Sequence, residues 1–147
     1  DGIGRLAIFA KELQMDVIIE NHGGASSRGD WLADLVKSIN MDNVGTLPDF
    51  DNWCYKTKDG GNWGECVERY DRLKGLRELM PYAKALSVKT FDFDTDGNET
   101  TMDYNTLFQI VQGSGYDGYL GIEFEGHDLD AVDGIKKTVA LVEKVWQ

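Results

Sequence analysis

The chain has 147 residues, which is enough for one domain with a sizeable hydrophobic core. Its 15 basic and 26 acidic residues give a formal net charge of −11, which argues against a nucleic-acid backbone or an anionic membrane as the partner. Hydrophobic residues make up 41% of the chain and only 2 residues are proline, so the composition is typical of a globular protein.

Neither a membrane span nor a targeting signal is visible in the sequence. No apolar run is long enough to cross a bilayer, and the first residue is Asp1 rather than Met. We therefore expect the true N-terminus to be missing or processed, which leaves the compartment open, with the cytoplasm slightly favoured. Cys54 and Cys66 are too few for a disulfide framework or a zinc site. They could pair across the loop between them, but free thiols are the favoured interpretation.

Apolar spacing predicts five helices that alternate with four strands. Helical stripes recur every three or four residues, and short β-branched or aromatic runs stand between them. This order implies a parallel sheet with right-handed crossovers. A long loop over residues 52–65, which holds Trp53, Tyr55 and Trp63, follows the second strand. The predicted helices span residues 3–15, 27–40, 67–80, 103–113 and 132–146, and the predicted strands span residues 17–20, 44–50, 83–93 and 119–124.

Three short motifs add local detail. Ser27 and Asp30 have the spacing of a capping box, which predicts the start of the second helix. Asp103 is predicted to cap the fourth helix. Residues 92–103 match much of an EF-hand calcium loop, but Glu99 stands at an apolar position and a strand rather than a helix precedes the motif. We therefore predict a turn after the third strand.

Polar residues end every predicted strand. In parallel α/β proteins the carboxyl ends of the strands lie on one face, where ligands bind. Carboxylates that meet there repel one another unless a cation bridges them. A site of carboxylate and imidazole ligands with open positions suits Mn²⁺, Mg²⁺ or another hard to borderline ion. The alternative is a network of ion pairs that uses Lys89 and nearby arginines. The strand-end pairs are Glu20 and His22, Asp49 and Asp51, Ser87 and Lys89, and Glu123 and Glu125.

Four segments resemble the sugar phosphate isomerase/epimerase family. They read I-I-E-N-H-G-G, V-G-T-L-P-D-F-D-N, Y-A-K-A-L-S-V-K-T-F-D-F-D and G-Y-D-G-Y-L-G-I-E-F-E-G. That family has the xylose-isomerase-like TIM barrel, which apurinic endonucleases share. The resemblance covers nearly the whole chain and implies a single α/β domain over residues 1–147. This domain would hold about four parallel βα units and form the C-terminal half of the barrel, strands five to eight.

The resemblance also implies a metal site. A histidine that usually precedes Lys89 by two positions is replaced by Ser87. His22 or a water would then complete the metal shell. The expected cofactor is a divalent metal: Mn²⁺, Mg²⁺ or Zn²⁺. The carboxylates that match the family's metal ligands are Glu20, Asp49 and Glu123.

The implied reaction is proton transfer between neighbouring carbons of a sugar. Glu20 and Glu123 would flank the substrate as acid and base. The metal would polarise the carbonyl and stabilise an enediolate. Lys89 could help to hold the charge on that oxygen, so the predicted catalytic residues are Glu20, Glu123 and Lys89.

Three residues are predicted to bind the sugar. Asn52 stands where the family has a substrate-contacting histidine, and an amide can still hydrogen-bond a hydroxyl group. His22 lies beside Glu20 at the end of the first strand. Trp53, like the other loop aromatics, could stack on a sugar face, although packing is the commoner role of any single loop aromatic.

The first interpretation is therefore a metal-dependent isomerase or epimerase of a sugar or sugar phosphate. A hydrolase or lyase on the same scaffold is the second, because a fold does not fix the reaction. The third is a non-catalytic carbohydrate-binding protein. Ser87 in place of histidine favours this interpretation, and the three retained carboxylates argue against it. The net charge disfavours an endonuclease.

Four strands alone would make an open structure. A closed barrel of this type needs eight strands and about 250 residues. Half of it would leave two bare edges and an uncovered apolar face. We expect the chain to close against the other half of a longer polypeptide or against a second copy, as in a homo-oligomer. The expected ligand is a small sugar, with no nucleic acid or membrane as partner.

Overall fold

The computed structural model describes residues 2–61 and 64–146, and in this part of the chain no helix is long and apolar enough to cross a membrane. The helices are α1 (Gly2–Glu12), α2 (Gly29–Ile39), α3 (Arg72–Leu79), α4 (Tyr104–Gly113) and α5 (Ala131–Val145), and 3₁₀ turns cover Gly24–Ser27 and Met80–Tyr82. The strands are β1 (Val17–Glu20), β2 (Val44–Leu47), β3 (Cys54–Thr57), β4 (Cys66–Arg69), β5 (Ala85–Thr90) and β6 (Tyr119–Phe124).

Four of these strands run parallel and follow one another in chain order. β1 pairs with β2, and β5 pairs with β6. Two isolated parallel bridges, Thr46 to Ala83 and Asp49 to Ser87, connect the β2 segment to the β5 segment. The resulting order, β1-β2-β5-β6, is that of consecutive units in a parallel α/β barrel. The predicted parallel α/β architecture is confirmed, and the chain forms a partial barrel.

Helices cover one face of the parallel strands. On β5, Leu86 and Val88 are 0% exposed and belong to the apolar core. Val17 and Ile19 of β1 pack against the same core. Successive side chains of a strand point to opposite faces, so Ser87 lies on the face away from the helices. That second face carries the candidate site.

Apolar side chains stay exposed at the two ends of the row of helices. α1 contacts β1, the first parallel strand, and α5 contacts β6, the last one. Leu6 and Phe9 on α1 and Val132 and Ile135 on α5 are exposed. Tyr119, on β6, is 87% exposed. Surfaces of this kind usually contact another element or another chain.

A hairpin begins in the predicted loop after the second strand and ends beyond it. β3 and β4 pair in an antiparallel manner. A disulfide joins Cys54 to Cys66, whose Cα atoms are 5.9 Å apart. The prediction of free thiols was wrong, because the pairing of β3 with β4 brings the two cysteines side by side.

The hairpin also moves the start of the third helix. Val67, which we predicted to lie in that helix, is part of β4. α3 instead begins at Arg72, where the carboxylate of Asp71 accepts a hydrogen bond from the backbone N–H of Lys74 at 2.7 Å. The start of α3 is therefore set by the side-chain cap of Asp71, and the apolar spacing did not predict it.

Of the two predicted helix caps, one is confirmed and one is wrong. Asp103 caps α4, since its carboxylate accepts a hydrogen bond from the N–H of Thr106 at 3.2 Å. At α2 the N-cap is Arg28, without a side-chain hydrogen bond. The hydroxyl of Ser27 donates instead to the carbonyl oxygen of Asn52 at 2.6 Å. A tertiary contact near the site has replaced the local capping interaction.

The segment over residues 92–103 forms a turn after β5, as predicted. Glu99 is buried, and its carboxylate accepts hydrogen bonds from the backbone N–H groups of Thr101 and Met102. Asp94 accepts a hydrogen bond from the N–H of Asn98 at 2.8 Å. These carboxylates therefore satisfy the backbone of their own turn.

Candidate active site

The structure brings together the three carboxylates predicted as metal ligands. Glu20 ends β1, Asp49 follows β2, and Glu123 lies in β6. One carboxylate oxygen of each lies within 4.8 Å of the oxygens of the other two. Asp49 is fully buried, whereas Glu20 and Glu123 are half-buried. The common direction of the parallel strands places these three side chains at one end of the sheet.

Backbone N–H groups and a buried amide hold Asp49 in place. Its Oδ1 accepts hydrogen bonds from the N–H groups of Asp51 at 2.9 Å and Asn52 at 2.8 Å. The Asn21 side chain accepts from the N–H of Asp49 at 2.7 Å and donates to its carbonyl oxygen at 3.1 Å. These bonds leave Oδ2 directed at the other carboxylates. Burial raises the pKa of Asp49 to about 7, because desolvation disfavours the charged form.

Ser87 lies between two of the carboxylates. Its Oγ is 2.8 Å from Oδ2 of Asp49 and 2.7 Å from Oε2 of Glu123. A hydroxyl has one proton, so it can donate to only one of these oxygens at a time. Ser87 is therefore part of the acidic cluster.

Lys89 supplies the positive charge of this site. Its side chain is 3% exposed, and Nζ lies 3.3 Å from Glu125, 3.5 Å from Glu123 and 3.9 Å from Asp49. Burial works against the charged form, but these carboxylates outweigh it and raise the pKa of Lys89. Burial also opposes ionisation of Glu123, but the hydrogen bond from Ser87 and the charge of Lys89 lower its pKa.

Asn52 connects the carboxylate on β1 to the lysine on β5. Its Nδ2 donates to Oε1 of Glu20 at 3.0 Å, and its Oδ1 accepts from Nζ of Lys89 at 3.0 Å. His22, two residues after Glu20, is exposed, and its backbone N–H donates to the hydroxyl of Ser26 at 2.9 Å. The structure therefore places Asn52 inside the cluster and leaves His22 at the surface beside it.

Two aromatic residues of the predicted loop, Trp53 and Tyr55, contact other residues of the protein. Trp53 is 1% exposed, donates its indole N–H to a backbone carbonyl at 3.0 Å and stacks on Tyr70 at 6.5 Å between ring centroids. This burial does not fit the predicted contact of Trp53 with a sugar. The hydroxyl of Tyr55 donates to Glu68 across the hairpin at 2.6 Å. Trp63 lies outside the described residues.

Sequence reasoning missed two features next to the cluster. The fully buried Asn21 binds the backbone of Asp49, and its position within the strand-end motif was the available signal, since a buried amide needs partners. Asp51 forms ion pairs with Arg69 at 3.3 Å and with Arg72. The predicted alternative, a network of ion pairs that uses Lys89 and nearby arginines, matches these contacts. Asp51 pairs with the two arginines, and Lys89 pairs with Asp49, Glu123 and Glu125.

The chemistry of the donor set fits a divalent cation. A cation bonded at about 2.1–2.4 Å to several oxygens requires those oxygens to lie within about 4.8 Å of one another. The oxygens of Glu20, Asp49 and Glu123 meet this requirement. Oδ2 of Asp49 accepts no backbone hydrogen bond among the described residues, so it is suitably placed as a ligand.

The structure is a partial parallel α/β barrel with an acidic cluster at the carboxyl ends of its strands. The family described as xylose isomerase-like TIM barrel matches residues 1–145. The chain belongs to this family, which confirms the resemblance noted in the sequence.

Individual proteins match over different lengths. The chain is 33% identical over 73 residues to the C-glycoside deglycosidase alpha subunit of Arthrobacter globiformis, a match that covers 46% of this chain and 21% of that protein. The structure is similar to the 3-keto-D-glucoside 4-epimerase of E. coli, with a TM-score of 0.68, 13% identity and coverage of 97% of this chain and 51% of that one.

A second epimerase has a similar fold. An L-ribulose 3-epimerase matches with a TM-score of 0.59 and 16% identity, over 93% of this chain and 43% of that one. The chain therefore spans about half the length of these solved structures. At these identities the likeness shows the shared fold.

Proposed function

We propose that this chain carries the catalytic face of a metal-dependent isomerase or epimerase, which moves a proton at a sugar carbon beside a carbonyl group. The observation that carries the proposal is the cluster of Glu20, Asp49 and Glu123, whose carboxylate oxygens lie within 4.8 Å of one another. The two similar structures named as epimerases support it. Both names place the inverted carbon next to a ketone carbon, where a proton is acidic enough for a carboxylate base.

Glu20 and Glu123 are the groups that we assign to proton transfer. One carboxylate removes the proton beside the carbonyl, and a carboxylic acid returns a proton to the neighbouring atom or to the other side of the same carbon. A hydrogen bond fixes each of them: Asn52 donates to Glu20 at 3.0 Å, and Ser87 lies 2.7 Å from Glu123. Both are half-buried, so they are within reach of a ligand while their orientation is held.

Lys89 balances the negative charge that develops on the substrate oxygen. Its ammonium group is already held among Asn52, Glu123 and Glu125, so little reorganisation is needed during the reaction. When a divalent cation is bound by Glu20, Asp49 and Glu123, it supplies Lewis-acid stabilisation of the same charge.

Cleavage of a bond to a sugar is a second candidate function. The match over 73 residues to a C-glycoside deglycosidase alpha subunit favours it. Removal of a proton beside a carbonyl also activates a leaving group on the next carbon, so the same carboxylates could serve either reaction. A carbohydrate-binding protein without activity is the third candidate. It is favoured by Ser87, which stands where the family resemblance implies a histidine.

The complete pocket requires more chain than the described residues provide. The exposed apolar residues on α1 and α5 lie at the two edges of the partial barrel. We infer that the missing wall comes from the other half of a longer polypeptide or from a second copy of this chain. Light scattering of the purified chain should show self-association. A stable monomer that binds no hydrophobic dye would contradict this inference.

Deuterium exchange tests the proposed reaction. The full-length protein, or the self-associated form of this chain, is incubated in heavy water with Mn²⁺ and a panel of ketoses and keto-glucosides. NMR follows the loss of the C–H signal beside the carbonyl. We expect exchange, and we expect Glu20→Gln and Glu123→Gln each to reduce it by at least about 100-fold. The control Glu143→Gln, at an exposed position on α5, should leave it unchanged.

Three results would count against the proposal. Saturable sugar binding without any exchange would favour the carbohydrate-binding function. Exchange that persists in both carboxylate variants would refute the roles assigned to Glu20 and Glu123. Release of the aglycone from a glycoside in the same assay would favour the cleavage reaction.

A further inference from the structure

The two loops that follow β5 and β6 contain neither lysine nor arginine. Residues 91–103 follow β5 and include five acidic residues, and residues 125–130 follow β6 and include three. Both loops stand at the carboxyl ends of their strands, which is the end of the sheet that carries the candidate site. A ligand on this side of the site therefore meets an excess of negative charge.

Loops in these positions are the usual phosphate sites of parallel α/β barrels. Phosphate groups often bind at the loops after the seventh and eighth strands, where backbone N–H groups and a helix N-terminus hold the anion. From the family resemblance we expect β5 and β6 to be these two strands. The donors for a phosphate would then be the backbone N–H groups of the two loops and of the start of α5.

A carboxylate of the chain already occupies two of these donors. Oδ1 of Asp92 accepts hydrogen bonds from the backbone N–H groups of His127 and Asp128, both at 3.0 Å. These N–H groups lie two and three residues beyond Glu125, which pairs with Lys89 of the candidate site. Successive backbone N–H groups that converge on one oxygen are a common way of binding an anion. Asp92 thus takes the place that a phosphate oxygen would take.

The start of α5 is occupied in the same way. The carboxylate of Asp130 accepts hydrogen bonds from the N–H groups of Val132 at 2.9 Å and of Asp133 at 3.0 Å. A helix N-terminus attracts a phosphate through these same N–H groups when no side chain caps them. Carboxylates of the protein therefore satisfy both of these sets of donors beside β6.

The cationic side chains next to the cluster are also paired with carboxylates. Lys89 pairs with three carboxylates of the site, and Arg69 and Arg72 both pair with Asp51. A phosphate dianion would have to compete with a carboxylate for each of these three cations. A divalent cation among the clustered carboxylates would balance their charge, but the two loops would stay acidic.

We propose that this site selects unphosphorylated sugars and excludes sugar phosphates, and that Asp92 is a specificity-determining residue for this choice. A phosphate ester would lose hydration, find its backbone donors occupied and lie beside carboxylates of the same charge. A sugar hydroxyl carries no charge and can donate a hydrogen bond to any of these carboxylates. This inference rests on the proposed function and narrows its substrate class to uncharged sugars.

Binding of matched ligands tests the inference without an activity assay. NMR titrations compare D-fructose with D-fructose 6-phosphate, and D-ribulose with D-ribulose 5-phosphate. They use the full-length protein or the self-associated form of this chain. We expect the free ketose to bind at least about tenfold more tightly than its phosphate ester, because only the ester brings negative charge to the acidic loops.

Two variants separate the charge of Asp92 from its occupation of the N–H groups. In Asp92→Asn the amide oxygen still accepts both hydrogen bonds, so the affinity for the phosphate ester should rise by only about threefold. In Asp92→Ala both donors become free as well, so the rise should be about tenfold or more. The affinity for the free ketose should stay the same in both variants.

A matched control removes the same charge at the other end of the sheet. Asp117 is exposed and precedes the amino end of β6, away from the two loops. Asp117→Asn should therefore leave the affinities for the ketose and for its phosphate ester unchanged. A rise in ester affinity equal to that of Asp92→Asn would show an effect of net charge alone and would overturn the role of Asp92.

The outcomes separate this inference from the proposed function. Binding of the free ketose but not of the ester, without any deuterium exchange, would support the selectivity and refute the isomerase or epimerase reaction. An ester that binds as tightly as its ketose would overturn the selectivity, even where deuterium exchange occurs. An unchanged ester affinity in whichever Asp92 variant folds would overturn the role of Asp92.

Inorganic phosphate provides the readout if none of the four sugars binds. Broadening of its ³¹P NMR signal by Asp92→Ala, and not by the wild type, would support the occupation of the anion-binding donors by Asp92. Equal signals with the two proteins would overturn it.

Discussion

The two faces of β5 differ in what they do for the protein. Leu86 and Val88 point toward the helices, are 0% exposed and lie in the apolar core. Ser87 and Lys89 alternate with them and contact carboxylates on the opposite face. Full burial of a leucine or valine stabilises the fold by about 2 kcal/mol, whereas gathered carboxylates repel one another and lose hydration. The same backbone therefore supports stability on one face and chemistry on the other.

Changes to the two faces should consequently have separable effects. A change on the helix-covered face should alter the free energy of unfolding and leave metal affinity intact. A change on the polar face should alter metal affinity and proton transfer, and its effect on stability should depend on whether a cation is present.

Leu86→Ala should produce the largest loss of stability. Removing this fully buried side chain leaves a cavity, and we expect the free energy of unfolding to fall by about 2–5 kcal/mol. Urea unfolding measures the loss, and Mn²⁺ titration of the folded variant measures affinity. A large fall in metal affinity without a fall in stability would contradict the separation of the two faces.

Lys89→Met should destabilise the metal-free chain by about 2 kcal/mol. The change removes the ammonium group that compensates the charges of the buried Asp49 and of Glu123 and Glu125. The loss in free energy of unfolding is limited because the two glutamates are partly exposed to water. Added Mn²⁺ should raise the melting temperature more in this variant than in the wild type. Lys11→Met, at an exposed ion pair, is the matched control and should change stability by less than about 1 kcal/mol.

Asn52→Ala should lower stability by about 1–2 kcal/mol and reduce deuterium exchange by about tenfold or more. The change removes the hydrogen bonds to Glu20 and Lys89, so both charged groups lose their fixed orientation. Unfolding in urea and the NMR exchange assay measure the two effects. Asn105→Ala, at an exposed position on α4, should alter neither, and an equal loss of exchange in that control would argue against a positioning role for Asn52.

Asp103→Ala should have the smallest effect. It removes the cap of α4 and should cost about 1 kcal/mol without any change in metal affinity, because the Asp103 carboxylate binds the backbone N–H and the hydroxyl of Thr106. Thermal unfolding measures this cost. Asp34→Ala, at an exposed position within α2, should change stability by less than about 0.5 kcal/mol.

Local patterns were enough to predict the parallel units. The β-branched run at Val17–Glu20 and the apolar stripe of α5 are strong periodic signals, and strand direction then carries the strand-end carboxylates to one place. The meeting of strand-end carboxylates on one face was predictable for this reason, whereas the choice of Glu20, Asp49 and Glu123 among them came from the resemblance to the family.

Contacts between distant segments explain what the sequence did not reveal. β3 and β4 have only four residues each, which is too short for a clear periodic signal, and the cysteine spacing allowed a disulfide without requiring one. The burial of Trp53 depends on Gly75 of α3, where an added Cβ would lie 2.2 Å from the indole ring. The hydrogen bonds of Asn21 to Asp49 join residues 28 positions apart. These contacts join segments that lie far apart in the chain, so no single segment specifies its partner.

The Cys54–Cys66 bond has a consequence for how the protein is made. Such bonds persist in secreted and periplasmic proteins, whereas glutathione and thioredoxin keep most cytosolic thiols reduced. We therefore expect the chain to acquire this bond after export, in an oxidising milieu, and not in the cytoplasm that its sequence slightly favoured.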